Sequence, residues 1–321
     1  MQPLYPKISP NSTAFIERDG HQIYVEESGN PHGIAVIYLH GGPGGGSSED
    51  HRRYFDPQKY RIIVFDQRGC GKSTPHASVE NNSTWDLVED IEEIREHFAI
   101  SHWLVAGGSW GTTLALAYGI RYPHHVLGFI LRGIFLGTQE EIDWLYGPQG
   151  AAGVFPEYYQ EFLHPLNDKS FLDIVPAYHH LLFGHNEIAR VAAAKAWSLW
   201  ESKISALHVK DMSLESKDDT HQAIAMACLE NHYFSHQCFL EPNYLIDNLT
   251  KISHLPAYIV HGRYDMVCQL KQAWLLAKNW DNAQLQIIPK AGHSGFEAGI
   301  IDAMCKAADK MADFIISKQK Q

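Results

Sequence analysis

The chain has 321 residues, of which 45% are hydrophobic, and its 26 basic and 37 acidic residues give a formal net charge of −11. A chain of this length and composition can bury a large hydrophobic core, in one large domain or in two. Because binding to a phosphate backbone requires clustered Lys and Arg, the acidic balance and the absence of such a cluster predict no nucleic-acid partner.

The cysteines and the start of the chain bear on cellular location. The five cysteines are scattered and no CxxC pair occurs, so neither a disulfide framework nor a zinc ribbon is predicted. The first residues, MQPLYPKISPNS, contain no apolar signal segment, and no apolar run reaches the ~18 residues of a membrane span. We therefore expect a cytoplasmic protein with reduced cysteines and no membrane partner.

The first part of the chain alternates between strands and helices. TAFIERDG and HQIYVEESG predict a hairpin that turns at Asp19 and Gly20. IAVIYL and RIIVF are short apolar runs that lead into glycines, and STWDLVEDIEEIREHF has the pattern of an amphipathic helix. This alternation predicts a parallel sheet covered by helices.

The stretch VAGGSWGTTLALAYG, residues 105–119, places three glycines around one serine. HWLVAGG predicts a buried strand and TTLALAYGIRYP predicts a helix, so Ser109 falls on the turn between them. Gly107, Ser109 and Gly111 meet the G-x-S-x-G spacing of a nucleophile elbow, in which the serine backbone is strained. The alternative is an ordinary glycine-rich turn, since five-residue patterns recur by chance.

The pattern changes after the next strand, VLGFILRG. Residues 137–250 are rich in Trp, Tyr, His and Leu and have helical periodicity, clearest in EIARVAAAKAWSLWESKIS and THQAIAMACLENHYF. Strand and helix alternate again from LPAYIVHGRYD to the final helix. We predict an α/β domain formed by residues 1–136 and 251–321, with a helical insertion at 137–250.

Three residues with catalytic potential each follow a predicted strand. Ser109, Asp265 and His293 occur in the chain order Ser…Asp…His that is typical of α/β-hydrolases. In such a triad the histidine takes the serine proton and the acid orients the imidazole. The glycine run at 41–46 exposes backbone N–H groups that, with the N–H of Trp110, can bind an oxyanion. Taken singly, Asp265 is equally typical of a polar turn, and His293 is one of 20 histidines.

Two other patterns point to different chemistry, and both are weaker. DQRGCGKST resembles a phosphate-binding loop, but Asp66 stands where that motif needs glycine. His232, His236 and Cys238 in ENHYFSHQC have some character of a zinc site, although histidines beside aromatic residues on a helix are more often packed or solvated. We therefore expect no metal.

Segment by segment, the chain resembles the proline iminopeptidases from about residue 5 to about residue 315. The resemblance is carried by HGGPGGG, FDQRGCGKS, GGSWGTTLALAYG, LRGIF, EIDWLY, WSLWE, LENHYF, HGRYDMVC and AGHSGFE. It implies an α/β-hydrolase core with a mostly parallel sheet and an inserted helical cap. It also implies an enzyme that acts on small peptides with an N-terminal proline and uses no cofactor. It also implies Ser109, Asp265 and His293 as the triad, with Gly42 and Trp110 as oxyanion donors.

The same resemblance implies a substrate site in the insertion and just before it. Glu201 of WSLWE and Glu230 of LENHYF match glutamates that bind the free amino end of the substrate, and Phe135, Phe234 and Tyr146 match aromatic residues around the proline ring. A buried ammonium needs carboxylate partners, which suits this role. On the residues alone, two glutamates on solvated helix faces would be the commoner arrangement.

Other functions remain open on the sequence. An esterase or amidase for small acyl substrates would use the same triad without the paired glutamates. Epoxide hydrolases and dehalogenases attack their substrates with a carboxylate. The serine at the elbow of this chain therefore argues against both functions. A non-catalytic binding protein on the same scaffold would commonly lack a triad member, and this chain has all three. Two positions depart from the family pattern: Gln269 replaces a proline and Gly295 replaces an alanine.

Overall fold

A computed structural model of the chain describes residues 1–166, 173–208, 214 and 216–319. Within these residues one eight-stranded sheet forms the centre of the molecule. Its strands are β1 Ser12–Arg18, β2 His21–Gly29, β3 Ile34–Leu39, β4 Tyr60–Phe65, β5 Trp103–Ser109, β6 Val126–Ile134, β7 Ala257–Gly262 and β8 Ala283–Ile288. Their spatial order is β1-β2-β4-β3-β5-β6-β7-β8.

The sheet is mostly parallel, as the sequence predicts. The β1–β2 hairpin and the β2–β4 pair are antiparallel, and the pairs from β4 through β3, β5, β6 and β7 to β8 are parallel. Every residue of β5 is buried, because helices cover both faces of a parallel sheet. The carboxyl ends of β3, β5, β6 and β7 therefore meet at one edge, where ligands bind in open α/β sheets.

Among the described residues, four α-helices flank the sheet and six lie between β6 and β7. The flanking helices are α1 Thr84–His97, α2 Trp110–Arg121, α9 Leu270–Lys278 and α10 Ala298–Gln319. The helices between β6 and β7 are α3 Gln139–Tyr146, α4 Pro156–Phe162, α5 Ile174–Leu182, α6 Glu187–Ile204, α7 Lys217–Ser235 and α8 Tyr244–Asp247. In the described parts of the chain, none of the helices is both long and apolar enough to cross a membrane.

Helix α2 differs from its predicted start. The sequence predicts a helix from Thr112, whereas α2 begins at Trp110, directly after Ser109. Residues 110–120 are all buried because the helix packs against β5 and β6 on one side and against α1 and α8 on others. No residue therefore separates the end of β5 at Ser109 from the start of α2 at Trp110.

The helices between β6 and β7 share a core of aromatic rings. Trp197 of α6 stacks on Tyr146 of α3 with ring centroids 4.3 Å apart, and Tyr178 of α5 lies 5.0 Å from Trp197. Helix α6 packs against both α4 and α7. This packing fixes the positions of side chains that α6 and α7 direct toward the sheet. The division of the chain at residues 136 and 250 into two domains remains a prediction.

Candidate active site

The turn that carries Ser109 is compact and strained. Ser109 has φ 58° and ψ −128°, in a region of backbone conformation that residues other than glycine rarely adopt. A Cβ added at Gly111 would lie 2.1 Å from the Leu39 carbonyl oxygen, and one at Gly107 would lie 2.5 Å from the Gly111 oxygen. Both glycines are thus required by close backbone approach, which leaves the serine side chain at the carboxyl edge of the sheet.

Ser109, His293 and Asp265 form a continuous hydrogen-bonded chain. His293 Nε2 lies 3.0 Å from Ser109 Oγ, and His293 Nδ1 lies 2.8 Å from Asp265 Oδ2. The other oxygen, Asp265 Oδ1, accepts from the backbone N–H groups of Val267 (3.1 Å) and Cys268 (2.8 Å). Burial opposes ionisation of Asp265, but His293, His261 and the Cys268 N–H outweigh it and lower the pKa of the carboxyl group. An ionised Asp265 holds the Nδ1–H tautomer of His293, so that Nε2 is free to accept the serine proton.

A second histidine touches the same carboxylate. His261 Nδ1 accepts from the Ile134 N–H (3.1 Å), so Nε2 carries the proton and donates to the Cys268 carbonyl (2.9 Å). That Nε2 also lies 3.4 Å from Asp265 Oδ2. Burial lowers the pKa of His261, which keeps the ring neutral. The sequence analysis did not single out His261. Its position on β7, four residues before Asp265, was the feature that could have indicated a contact with that carboxylate.

The backbone of His293 is held from two sides. Arg132 Nη1 donates to the His293 carbonyl (2.8 Å). The carbonyl of Ser205, just past the end of α6, accepts from the N–H groups of His293 (2.7 Å) and Ser294 (2.8 Å). His293 is therefore attached both to the sheet and to the helices between β6 and β7.

Gly42 and Trp110, the predicted oxyanion donors, flank the nucleophile. A Cβ built at Gly41 would lie 3.2 Å from Ser109 Cβ, so the loop after β3 runs directly beside the serine. Gly42 has φ 113°, a conformation that requires glycine. Trp110 is the first residue of α2, where a backbone N–H has no partner within the helix.

Glu201 and Glu230 are buried among aromatic side chains. Glu201 on α6 is 8% exposed and Glu230 on α7 is 0% exposed, so the alternative of solvated helix faces is wrong. Glu230 Oε2 accepts from Trp197 Nε1 (2.5 Å) and from the Tyr146 hydroxyl (3.3 Å). Glu230 Oε1 is buried and has no hydrogen-bond partner in the described structure. Such a buried oxygen needs a donor, which either a proton shared with the neighbouring Glu201 carboxyl group or a bound ligand can supply.

The two carboxyl groups influence each other and the triad. Burial raises the pKa of both, and the neighbouring Glu201 charge raises the pKa of Glu230 further. His293 and Arg132 partly offset the effect of burial at Glu201. The Glu201 carboxyl group is therefore a neighbour both of Glu230 and of the Ser109–His293–Asp265 chain.

The predicted aromatic residues lie next to this pair. The Phe135 and Phe234 rings are 5.8 Å apart and nearly perpendicular, and the Tyr146 and Phe234 rings are 5.7 Å apart. Phe135 is anchored by its backbone, which donates to Thr112 Oγ1 (3.0 Å) and accepts from the Thr113 hydroxyl (2.6 Å). These rings form an apolar wall beside the buried carboxyl groups.

Residues 34–299 match the family described as alpha/beta hydrolase fold. A proline iminopeptidase from Xanthomonas citri is 46% identical over 314 residues, which are 97% of this chain and 100% of that protein. A probable proline iminopeptidase from Leptolyngbya boryana is 48% identical over 313 residues, 97% of either chain. The chain belongs to the proline iminopeptidase family. A further member, from Arabidopsis thaliana, is 47% identical over 96% of this chain and 82% of its own length.

Solved structures of more distant proteins share the fold of this family member. A bromoperoxidase from Bacillus anthracis superposes with a TM-score of 0.63 at 17% identity, covering 94% of this chain and 99% of that chain. An alpha/beta fold family hydrolase from Bacillus anthracis str. Sterne gives a TM-score of 0.62 at 18% identity, with the same coverage. At these identities the likeness shows the α/β-hydrolase architecture alone.

Two positions at which this chain departs from the family pattern differ in their surroundings. Gly295 is tightly enclosed: a Cβ there would lie 2.9 Å from the Tyr54 hydroxyl oxygen and 3.1 Å from Arg132 Nε. The Tyr54 hydroxyl donates to the Gly295 carbonyl (2.8 Å), which fixes the loop that follows His293. Gln269 precedes α9, and its buried Oε1 has no partner in the described structure. Nothing in the structure explains why glutamine stands there.

The two weaker sequence patterns have structural roles in this family member. His232 Nε2 lies 2.8 Å from the Asn82 carbonyl. In the described residues no group of three His, Cys, Asp or Glu side chains has metal-ligand geometry. In DQRGCGKST, the Asp66 carboxylate accepts from the N–H groups of Ser47 (2.7 Å) and Lys72 (2.8 Å), and so ties this loop to the glycine run.

Proposed function

We propose that the chain is a prolyl aminopeptidase, which releases proline from the N-terminus of small peptides through a Ser-His-Asp triad and an acyl-enzyme intermediate. The single observation that carries the substrate assignment is the buried pair Glu201 and Glu230 beside the triad. The names of relatives that are 46–48% identical over nearly the whole chain point to the same activity.

The carboxyl pair suits a secondary ammonium group. An N-terminal proline carries a charged ring nitrogen with two N–H bonds and no other polar atom on the ring. Glu230 Oε1 accepts from no N–H group in the described structure, and Glu201 is its neighbour, so each carboxylate can accept one of the two bonds. The pKa values of both groups are raised, so binding a cation favours loss of any proton that the pair shares.

The aromatic wall suits the remainder of the ring. Phe135, Phe234 and Tyr146 offer apolar faces that exclude water from the pyrrolidine carbons. The ammonium and the ring together place the prolyl carbonyl near Ser109, which accounts for selectivity toward the first residue of a peptide. Tyr146 has a double role, since its hydroxyl also donates to Glu230.

The acylation step follows from the hydrogen-bonded chain. Ser109 Oγ attacks the prolyl carbonyl carbon while His293 Nε2 takes the hydroxyl proton. The N–H groups of Gly42 and Trp110 hold the oxyanion of the tetrahedral intermediate. As the C–N bond breaks, His293 returns the proton to the leaving amine, and the shortened peptide departs.

Deacylation repeats these roles with water. A water molecule attacks the prolyl ester of Ser109 and gives a proton to His293. The C–Oγ bond breaks, the proton returns to Ser109, and free proline is released. In this proposal residues 1–136 and 251–321 form the catalytic domain, residues 137–250 form the cap that binds the amine, and no cofactor takes part.

A comparison of three substrates tests the proposal. The same triad would cleave proline arylamide, N-acetylproline arylamide and a neutral aryl ester. Of the three substrates, only proline arylamide presents a positively charged nitrogen to the cap. We expect Glu201→Gln and Glu230→Gln each to lower kcat/KM for proline arylamide by ~30-fold or more, because a buried charge contact is lost. The aryl ester should be affected much less. Acetylation should lower cleavage by the parent enzyme, and it should remove most of the difference between parent and variants.

Glu187→Gln is the matched control, because Glu187 lies on the same helix α6 with an exposed side chain. It should leave all three rates within about twofold. Equal cleavage of proline arylamide by the parent, Glu201→Gln and Glu230→Gln would contradict the amine-binding role. It would favour the esterase or amidase alternative.

A further inference from the structure

The two oxyanion donors of the proposed mechanism belong to separate segments. Gly42 lies on the loop after β3, and Trp110 begins α2. Donors of this kind work only when they converge on one point, at 2.7–3.1 Å from the oxyanion. A third segment, the loop after β4, contacts His40 at the start of the first segment and the indole of Trp110 in the second through one residue, Gln67.

Gln67 makes three buried hydrogen bonds that join these segments. Its backbone N–H donates to His40 Nε2 (3.0 Å), and its side-chain Nε2 donates to the His40 carbonyl (2.9 Å). Its Oε1 accepts from Trp110 Nε1 (2.9 Å). Gln67 and His40 are each 1% exposed and Trp110 is 0% exposed, so water does not compete for these bonds.

The chemistry of the partners permits only one arrangement. An indole N–H can only donate and a carbonyl can only accept, which fixes the orientation of the Gln67 amide. His40 Nδ1 donates to the Gly41 carbonyl (2.8 Å), so His40 Nε2 must accept from the Gln67 N–H. This pattern needs a neutral imidazole, and burial lowers the pKa of His40 accordingly.

We propose that Gln67 is a positioning residue that sets the separation of the Gly42 and Trp110 N–H groups and so preorganises the oxyanion site. This rests on the proposed function, because the oxyanion site belongs to that mechanism. One end of the amide fixes His40, two residues before Gly42. The other end fixes the indole of Trp110, the residue whose N–H is the second donor. Gln67 itself does not touch the reacting atoms.

Gln67→Ala and Gln67→Glu test the proposal on proline arylamide and on a neutral aryl ester. Complete loss of one oxyanion donor lowers kcat by ~10²–10³-fold. For displaced donors we expect Gln67→Ala to lower kcat by ~10–100-fold for both substrates, with KM changed by less than about threefold. A role limited to folding would instead lower the melting temperature and leave the kcat of the folded enzyme unchanged.

Gln67→Glu gives a signature in pH that a general loss of packing does not. A protonated carboxyl group has one donor and one acceptor, and so can replace both bonds of the amide. An ionised carboxylate would face the His40 carbonyl oxygen with no proton between them. The ratio of kcat for Gln67→Glu to kcat for the parent should therefore rise as pH falls. A ratio that stays well below one at every pH would contradict the proposal.

A transition-state analogue separates the oxyanion site from ground-state binding. Prolinal reacts with Ser109 Oγ to form a hemiacetal: the Oγ–C bond forms, and the hydroxyl proton passes to the former aldehyde oxygen, which occupies the oxyanion site. We expect Gln67→Ala to weaken inhibition by prolinal ~10-fold or more, and inhibition by free proline less than about threefold. Equal weakening of both would overturn the positioning role.

Asn248→Asp is the matched control. Asn248 is a half-buried amide away from the proposed oxyanion site, and its Nδ2 donates to the Tyr244 carbonyl (2.9 Å) of α8. It should lower stability but keep kcat within about threefold and show no low-pH recovery. If the parent cleaves the ester but not proline arylamide, the proposed substrate fails, and the Gln67 variants still test positioning on the ester. Unchanged kcat for Gln67→Ala on a substrate that the parent cleaves would overturn the proposal.

Discussion

Ser109 combines a reactive side chain with an unfavourable backbone conformation. At φ 58° and ψ −128° a residue with a Cβ costs of order 1–3 kcal/mol relative to an unstrained position. The surrounding turn cannot relax, because Gly107 and Gly111 are already in contact with neighbouring backbone. This backbone conformation directs the Ser109 Oγ toward His293 and away from helix α2, which starts at the next residue.

This strain predicts an inverted order of stability between two inactive variants. Ser109→Ala and Ser109→Gly should each lower turnover of proline arylamide by ~10³-fold or more, because the nucleophile is gone. Glycine is ordinarily ~0.4–1 kcal/mol less stabilising than alanine. Here glycine relieves the positive φ, so we expect Ser109→Gly to be at least as stable as Ser109→Ala in urea unfolding. The usual order, with alanine clearly more stable, would show that the turn is not strained.

Helix α6 connects the proposed substrate site to the proposed catalytic base, His293. It carries Glu201, and the Ser205 carbonyl beyond its end accepts from the N–H groups of His293 and Ser294. The Glu297 carboxylate completes this connection, since it accepts from the N–H of Leu207 (3.2 Å) and from that of Gly292 (2.6 Å). A shift of α6 would therefore move His293 as well as Glu201.

We expect Glu297→Gln to lower kcat by ~10-fold for proline arylamide and for a neutral aryl ester alike. Glutamine has one acceptor oxygen, so one of the two N–H groups loses its partner, a loss of ~1–2 kcal/mol. Steady-state kinetics with both substrates measures the effect. Asp313→Asn, at an exposed carboxylate on α10, serves as the control. An effect confined to proline arylamide would place Glu297 with the amine site instead of the base.

At the scale of the whole molecule, the fold encloses acidic groups in a chain that is already strongly acidic. The net charge is −11, and Glu201 and Glu230 are enclosed where the helices between β6 and β7 meet the sheet. Burial raises the pKa of both groups, so the folded state binds protons more tightly than the unfolded state does. Their contribution to stability is complete below the ordinary glutamate pKa of about 4.3, and it is lost as pH rises through the raised values.

Glu230→Gln should therefore stabilise the protein while it weakens the enzyme. At pH 8 we expect its melting temperature to exceed that of the parent by at least about 2 °C, since a neutral amide avoids the cost of a buried charge. The difference should shrink as the pH approaches about 4, where the parent carboxyl is protonated in both states. Melting curves across this range measure it. If the parent had a higher melting temperature than Glu230→Gln at pH 8, that result would contradict the raised pKa of Glu230.

The sequence by itself determined the features that depend on local pattern. Apolar runs that end in glycine predicted β3 to β7, and the sheet confirmed them as a mostly parallel array. The G-x-S-x-G spacing placed Ser109 on a strand-to-helix turn. The positions of Asp265 and His293 after strands placed them at the same edge, because parallel strands end together. These inferences held because strand and turn signals lie within a few residues of one another.

Only the tertiary structure decided which distant side chains meet. Glu201 and Glu230 lie on different helices, and a helical pattern does not reveal whether a glutamate faces water or an aromatic core. The bonds from Gln67 to His40 and Trp110, and from Glu297 to the chain beyond α6, join segments far apart in sequence. His261 and Arg132 reach the triad from β7 and β6 in the same way. Such contacts depend on how the helices pack on the sheet, and periodicity along the chain carries no record of that packing.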